Sequence, residues 1–304
     1  MPPLEPPSPR PTRPLRRLRP LLVLALWPLL ASTTTATHGS IPAMAKVMNG
    51  KAGEVPEDSP FVQVREHEVL GYRVTEVVLG RTELDAELPL VVRFHGRGDR
   101  PHVPSGDHSG ITPVRLMLPW APDKLGDGFT WFPLSVTERK HPKVLGHYVR
   151  ERTNEFAKVL ATFMERRPTR EAPSPNGPRP KALVAGFSQG GMMTFGLALR
   201  HPGLVEAAFP VAGWLPEFFV DEALQPKRTY PPIRAMHGRE DPIVPAEPAM
   251  AIVRKLQDRG LDATIEVFPW DQHSMSEQMW RRHDAQMRVY LDPPPPPSTP
   301  PGLG

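Results

Sequence analysis

Cysteine is absent from all 304 residues. That excludes a disulfide scaffold, a thiolate zinc site, an iron–sulfur cluster and a cysteine nucleophile. It leaves the compartment open. A basic stripe on the folded part is also missing. The formal charge of +4 comes with five arginines and one acid in residues 1–36, and residues 37–304 hold equal numbers of basic and acidic side chains. A nucleic-acid partner therefore has no electrostatic footprint to bind. Long apolar runs are missing too. The longest, Leu21–Ala31, has 11 residues, too few to cross a hydrocarbon core about 30 Å thick as a stable span.

Proline is the one excess, with 42 residues. Ten lie in residues 1–44 and seven between Pro293 and Pro301. The leader combines Arg13–Arg19, the apolar run and a small-residue exit at Thr34-Thr35-Ala36, the parts of a secretory signal peptide. Residues 1–36 are expected to direct export to the periplasm or beyond, residues 37–60 to be a linker, and residues 292–304 a disordered Pro-rich tail. A start at Met44, with a cytoplasmic protein, is the other reading.

Between the tails, residues 61–291 read as one domain of alternating strands and helices. Phe61–Val69 and Tyr72–Leu79 form an antiparallel pair turning near Gly71. Leu90–Phe94, Val114–Leu118, Ala182–Ala185, Val205–Val211, Ile233–Met236 and Ala263–Phe268 are further strands. The 3–4 spacing of Leu145, Tyr148, Val149, Phe156, Val159, Leu160 and Phe163 marks one face of a helix over 143–167. Residues 189–200, 246–259 and 275–290 continue the helical series, and a Pro-rich loop fills 167–180. This order implies an α/β fold, a mostly parallel central sheet with helices on both faces. Gly96–Thr112 breaks the rhythm. Five of its first eleven residues are Gly or Pro, so the crossover helix expected there is absent or very short.

Gly186-Phe-Ser188-Gln-Gly190 sits between a strand and a helix. A serine on such a turn projects its hydroxyl at the carboxyl end of the sheet, and the glycines relieve a crowded backbone. The helix N-terminus behind it offers backbone N–H groups to developing negative charge. Serine needs a base, and in this chain order the acid precedes the histidine. Only His273 and His283 follow the candidate acids. His273 follows the last strand, whereas His283 lies in a charged helical stretch and reads as solvated. Asp241, three residues beyond Gly238, is the candidate acid, with Glu240 and Asp271 as lesser alternatives. His237 reads as a turn residue.

Ala185-Gly-Phe-Ser-Gln-Gly-Gly-Met, Val211-Ala-Gly-Trp-Leu-Pro, His237-Gly-Arg-Glu-Asp-Pro-Ile-Val-Pro and Gln272-His-Ser resemble the phospholipase/carboxylesterase branch of the α/β hydrolases. That branch includes acyl-protein thioesterases and bacterial carboxylesterases. Leu118-Pro-Trp-Ala-Pro and Gly128-Phe-Thr-Trp-Phe132 match it as well. The resemblance spans about residues 61–291 and departs from the family at Gly96–Thr112. It implies an α/β-hydrolase fold and hydrolysis of carboxylic esters or thioesters, with Ser188 as nucleophile, Asp241 as acid and His273 as base. Backbone N–H groups of Arg97 and Gln189 would form the oxyanion hole.

Trp131, Phe132, Met192, Trp214 and Leu215 are the expected contacts to an acyl or aromatic substrate. Neither cofactor nor metal is expected; Arg97, Asp99, His102, Asp107 and His108 crowd one loop that reads as solvated. The expected partner is a small ester or acyl substrate, and the oligomeric state is undetermined. A peptidase on the same fold and a non-catalytic binding protein are the rival readings.

Overall fold

The structure, a computed structural model, describes residues 61–104, 108, 110–133, 141–166 and 181–292. The expected signal peptide, the 37–60 linker, the 167–180 loop and the Pro-rich tail beyond Asp292 lie outside these residues. So do positions 105–107 and 109 of the irregular crossover. Among the described residues no helix is long and apolar enough to cross a membrane.

Among the described residues ten strands form: β1 (Val62–Val69), β2 (Tyr72–Leu79), β3 (Leu90–Phe94), β4 (Val114–Pro119), β5 (Asp123–Leu125), β6 (Gly128–Thr130), β7 (Ala182–Phe187), β8 (Val205–Val211), β9 (Ile233–Gly238) and β10 (Ala263–Phe268). Among the described residues five α-helices accompany them: α1 (Pro142–Glu165), α2 (Gln189–Arg200), α3 (Glu217–Ala223), α4 (Ala246–Asp258) and α5 (Glu277–Leu291). Eight strands make one sheet in the order β1-β2-β4-β3-β7-β8-β9-β10. β2 pairs antiparallel with both neighbours, and every other pairing in the sheet is parallel. This is the expected α/β-hydrolase arrangement.

Strand alternation sorts the side chains onto two faces. On β3, Leu90, Val92 and Phe94 join the core under α1, α2 and α4, while Val91 joins Leu183, Ala185 and Phe209 under α5. The long helix follows its stripe: Leu145, Val149, Phe156, Leu160 and Phe163 are buried. Pro142 opens it, at a position whose N–H has no intrahelical partner anyway. Gly260, at φ +77°, closes α4. Ser276 caps α5, its hydroxyl accepting from the Met279 N–H at 3.2 Å.

Between β3 and β4 the described residues contain no helix. Loop residues Val103 and Ile111 pack against the core beneath α5 instead. The loop is tied to a hairpin that the sequence reading missed. β5 and β6 pair antiparallel, and Gly98 N–H donates to Phe129 O at 2.7 Å while Phe129 N–H donates to Asp99 O at 2.8 Å. The Gly126-Asp127 turn between these three-residue strands was the available signal. The short α3 was missed as well.

His283 corrects an expectation. It is 1 % exposed and packs edge-on against Phe209 and Trp280. Burial pushes its imidazole down to about 4. It is held neutral in the fold, while the unfolded chain protonates it near 6.5.

Arg115 and Glu76 are 1 % and 3 % exposed. The guanidinium donates to Glu76 and to the carbonyls of Leu84 and Ala86 at 2.8 and 2.7 Å. Removing one partner leaves an uncompensated buried charge, so Glu76→Leu should lower urea stability by about 3 kcal/mol. Adding Arg115→Met should recover part of that loss. Separately, the unfolded chain takes up a proton at position 283 that the fold refuses, so stability should fall as pH drops from 6.5 towards 4. The slope from one histidine reaches about 1.4 kcal/mol per pH unit. Urea midpoints measured at pH 7 and 5 should therefore converge in His283→Phe relative to wild type.

Candidate active site

β7 delivers the chain to Ser188 and α2 carries it away. Ser188 has φ 56° and ψ −116°, a conformation that costs a non-glycine residue about 1–3 kcal/mol. The surrounding backbone imposes it. Ser188 N–H donates to Val211 O at 2.9 Å, and Ser188 O accepts from Met192 N–H at 3.1 Å. No side chain fits on either flank. A Cβ at Gly186 would stand 2.4 Å from Gly190 O, and one at Gly190 would stand 2.3 Å from Phe94 O.

Two loops at the carboxyl ends of β9 and β10 bring the other groups. Backbone bonds hold them together: Arg239 N–H to Phe268 O at 2.8 Å and Glu240 N–H to Asp271 O at 3.0 Å. His273 Nε2 stands 3.0 Å from Ser188 Oγ, and its Nδ1 stands 2.6 Å from Asp241 Oδ2. The imidazole lies against the Phe187 ring, with centroids 4.8 Å apart. The Asp241 side chain is fully buried. Its Oδ1 accepts from the N–H groups of Ile243 and Val244 at 2.9 and 2.8 Å. With both oxygens used this way, Oδ2 accepts from Nδ1–H of His273 and leaves the Nε2 lone pair facing the serine hydroxyl.

The alternatives fall elsewhere. Glu240 is exposed. Asp271 accepts from Ser276 Oγ at 2.5 Å, at the start of α5. His237 Nε2 donates to Val244 O at 2.7 Å, with burial pushing its imidazole below the ordinary range, so it stays neutral and braces the Asp241 loop.

A cavity of about 590 Å³ opens beside Ser188. Of the expected contacts, Phe132, Met192 and Trp214 line it, together with Arg97, Gln189 and His273. Trp131 and Leu215 do not. They are 0 % and 1 % exposed in the core behind the wall, which corrects the expectation of direct contact. Trp270, in the His273 loop, is 82 % exposed and stands off the wall. The sequence reading missed Leu145 and the Pro242–Pro245 stretch as wall residues. In the sequence Leu145 reads as core, since a helical stripe does not distinguish a core contact from a cavity contact.

The Gln189 side chain is buried, and its Oε1 accepts from Thr130 Oγ1 at 2.9 Å and from Trp131 N–H at 3.1 Å. Its Nε2 donates to Phe132 O at 3.2 Å. Arg97 is exposed at the cavity. In the same loop His95 Nδ1–H donates to Gly96 O at 2.7 Å and Nε2 accepts from Ala121 N–H at 3.1 Å. Burial pushes the His95 imidazole down, in keeping with that neutral tautomer. His102 pairs with Asp99 at 2.8 Å. Among the described residues no three His, Cys, Asp or Glu side chains gather closely enough to hold a metal ion; Asp107 lies outside them.

The chain is similar to known proteins in the same terms. It is 32 % identical over 102 residues to a "Probable carboxylesterase" of Oryza sativa subsp. japonica, covering 33 % of this chain and 38 % of that one. It is 28 % identical over 117 residues to "Acyl-protein thioesterase 1" of Gibberella zeae, covering 37 % and 49 %. The matched stretches thus span less than half the length of either relative. Among solved structures, esterase PE8 superposes with a TM-score of 0.56 at 23 % identity, covering 68 % of this chain and 94 % of that one. It shares the fold. The sequence model of the phospholipase/carboxylesterase family matches residues 81–288, from just after β2 to within α5. By that match the chain belongs to the phospholipase/carboxylesterase family of α/β hydrolases.

Proposed function

We propose that this chain hydrolyses carboxylic esters or thioesters through an acyl-enzyme on Ser188. The observation that carries the reading is the continuous path from Ser188 Oγ through His273 to the buried Asp241, spaced 3.0 and 2.6 Å, at the edge of a largely apolar cavity. His273 Nε2 takes the hydroxyl proton as Oγ attacks the substrate carbonyl carbon. Asp241 holds the ring and stabilises the imidazolium. The oxyanion is held by the backbone N–H groups of Arg97 and Gln189, the latter at the N-terminus of α2. Collapse of the intermediate expels the alcohol or thiol, which takes the proton from His273. Water, deprotonated by His273, then attacks the acyl carbon and releases the carboxylic acid. Phe132, Met192 and Trp214 offer the acyl chain an apolar wall.

Two outcomes are expected. Ser188→Ala should lower kcat for p-nitrophenyl esters by about 10³-fold or more, and Asp241→Asn by a comparable factor. The second loss has a specific cause. The Ile243 and Val244 N–H groups hold an oxygen at the Oδ1 position, so the asparagine amide N–H₂ would face His273 Nδ1 and force the proton onto Nε2. Equal rates in wild type and Ser188→Ala would defeat the proposal and return the peptidase and binding-protein readings. The second outcome concerns chain length. Trp214→Ala should lower kcat/KM for p-nitrophenyl octanoate about tenfold, with little change for the acetate, since lost apolar contact is worth about 1–3 kcal/mol. Parallel losses for both esters would remove Trp214 from the acyl wall.

A further inference from the structure

Trp131 is buried out of reach of the cavity, yet each of its polar groups is committed. Its backbone N–H donates to Gln189 Oε1 at 3.1 Å. Its indole Nε1–H donates to His95 O at 2.9 Å. Its carbonyl accepts from Arg152 Nε at 3.0 Å. The Arg152 guanidinium is itself held by Asp123 and Glu155, each at 2.9 Å. The indole is packed edge-on against Phe94, with centroids 5.2 Å apart, and leans on the His95 ring at 5.3 Å.

These contacts join two segments that the chain itself separates. Gln189 follows the nucleophile at the start of α2. His95 lies two residues before Arg97, at the end of β3. They carry the two N–H groups assigned above to the oxyanion. In many α/β folds a helix after β3 would hold the second segment, but here none is present among the described residues. Trp131 reaches both segments through one rigid side chain and its own backbone.

We propose that Trp131 is a positioning residue that sets the separation of the two oxyanion-hole N–H groups, and is not a substrate contact. The inference rests on the reading of the site given above. Oxyanion donors act when fixed at the place where negative charge develops, so a frame that orients them acts on the transition state and not on the bound ester. Loss of the indole N–H frees the His95 carbonyl and, through it, Gly96 and Arg97. The acyl wall is left in place.

The test is Trp131→Phe, which keeps an aromatic ring in the site and removes the Nε1–H. Expected is a fall in kcat of about tenfold for p-nitrophenyl acetate and octanoate alike, with KM unchanged. A trifluoromethyl ketone, whose carbon takes Ser188 Oγ to give a tetrahedral oxyanion, should lose affinity by the same factor. The parent methyl ketone should bind as before. Gln189→Met, which releases the other end of the strut, should also lower kcat for both esters and the affinity for the trifluoromethyl ketone, and serves if Trp131→Phe does not fold; KM is not its readout, since Gln189 lines the cavity and holds the Phe132 carbonyl. Unchanged kcat would overturn the proposal. So would a loss confined to KM, or to the octanoate, either of which would make Trp131 part of the acyl wall. A wild type that neither hydrolyses the esters nor binds the trifluoromethyl ketone would defeat the reading of the site itself, and the strut with it. An active wild type with an unaffected Trp131→Phe defeats the strut alone.

Discussion

A carboxylate is enclosed at Asp241 with no exposed side-chain surface. Burial of such a group is unfavourable by several kcal/mol unless hydrogen bonds replace its water. Here they do so from three directions: two N–H groups of its own loop and the imidazole of His273. The loop therefore cannot relax without leaving the carboxylate unsatisfied, and His273 cannot rotate without losing its partner. His237 adds a brace from below, through the Val244 carbonyl. The placement of the imidazole against Ser188 follows from this one buried group.

The serine side of the site is set by a different constraint. The left-handed φ of Ser188 is sustained by backbone contacts so close that glycine alone fits at positions 186 and 190. The strain is local, and the parallel strands on either side of β7 supply the stiffness that holds it. Charge and strain are thus kept on separate elements. The loops after β9 and β10 hold Asp241 and His273, and the turn between β7 and α2 holds the Ser188 hydroxyl. They meet only because all three strands end at the same edge of one sheet.

The unequal cover of the two sheet faces gives this chain its own character. α1 to α4 pack on one face, while α5 shares the other with the irregular segment after β3. The start of that segment is tied to the β5–β6 hairpin and its flank through the ladder contact of Asp99 with Phe129 and the bond of the Trp131 indole to His95 O. A hairpin of two three-residue strands does work that a helix would otherwise do. Such short strands carry too few residues for alternation to register, so sequence periodicity passes over them.

Much of the molecule was nonetheless legible. Val205–Val211, Ala263–Phe268 and the helix beginning at Gln189 stand where hydrophobic period and turn residues put them, because those signals are local. The order of Ser188, Asp241 and His273 was legible for the same reason, each lying just past a strand end. Side-chain destination was not. His283 reads as solvated among charged neighbours, but the packing of α5 on the sheet buries it against Phe209 of β8. Trp131 reads as a pocket residue, but its indole N–H has an acceptor only when β3 and the β5–β6 hairpin come together. The sequence by itself determined the α/β class, the eight strands of the main sheet and the placing of Ser188, Asp241 and His273 just past strand ends, through periodicity, turn chemistry and short motifs. Only the tertiary structure decided which aromatic rings line the cavity and which lie buried behind it, since burial and hydrogen-bond partners depend on segments far apart in the chain.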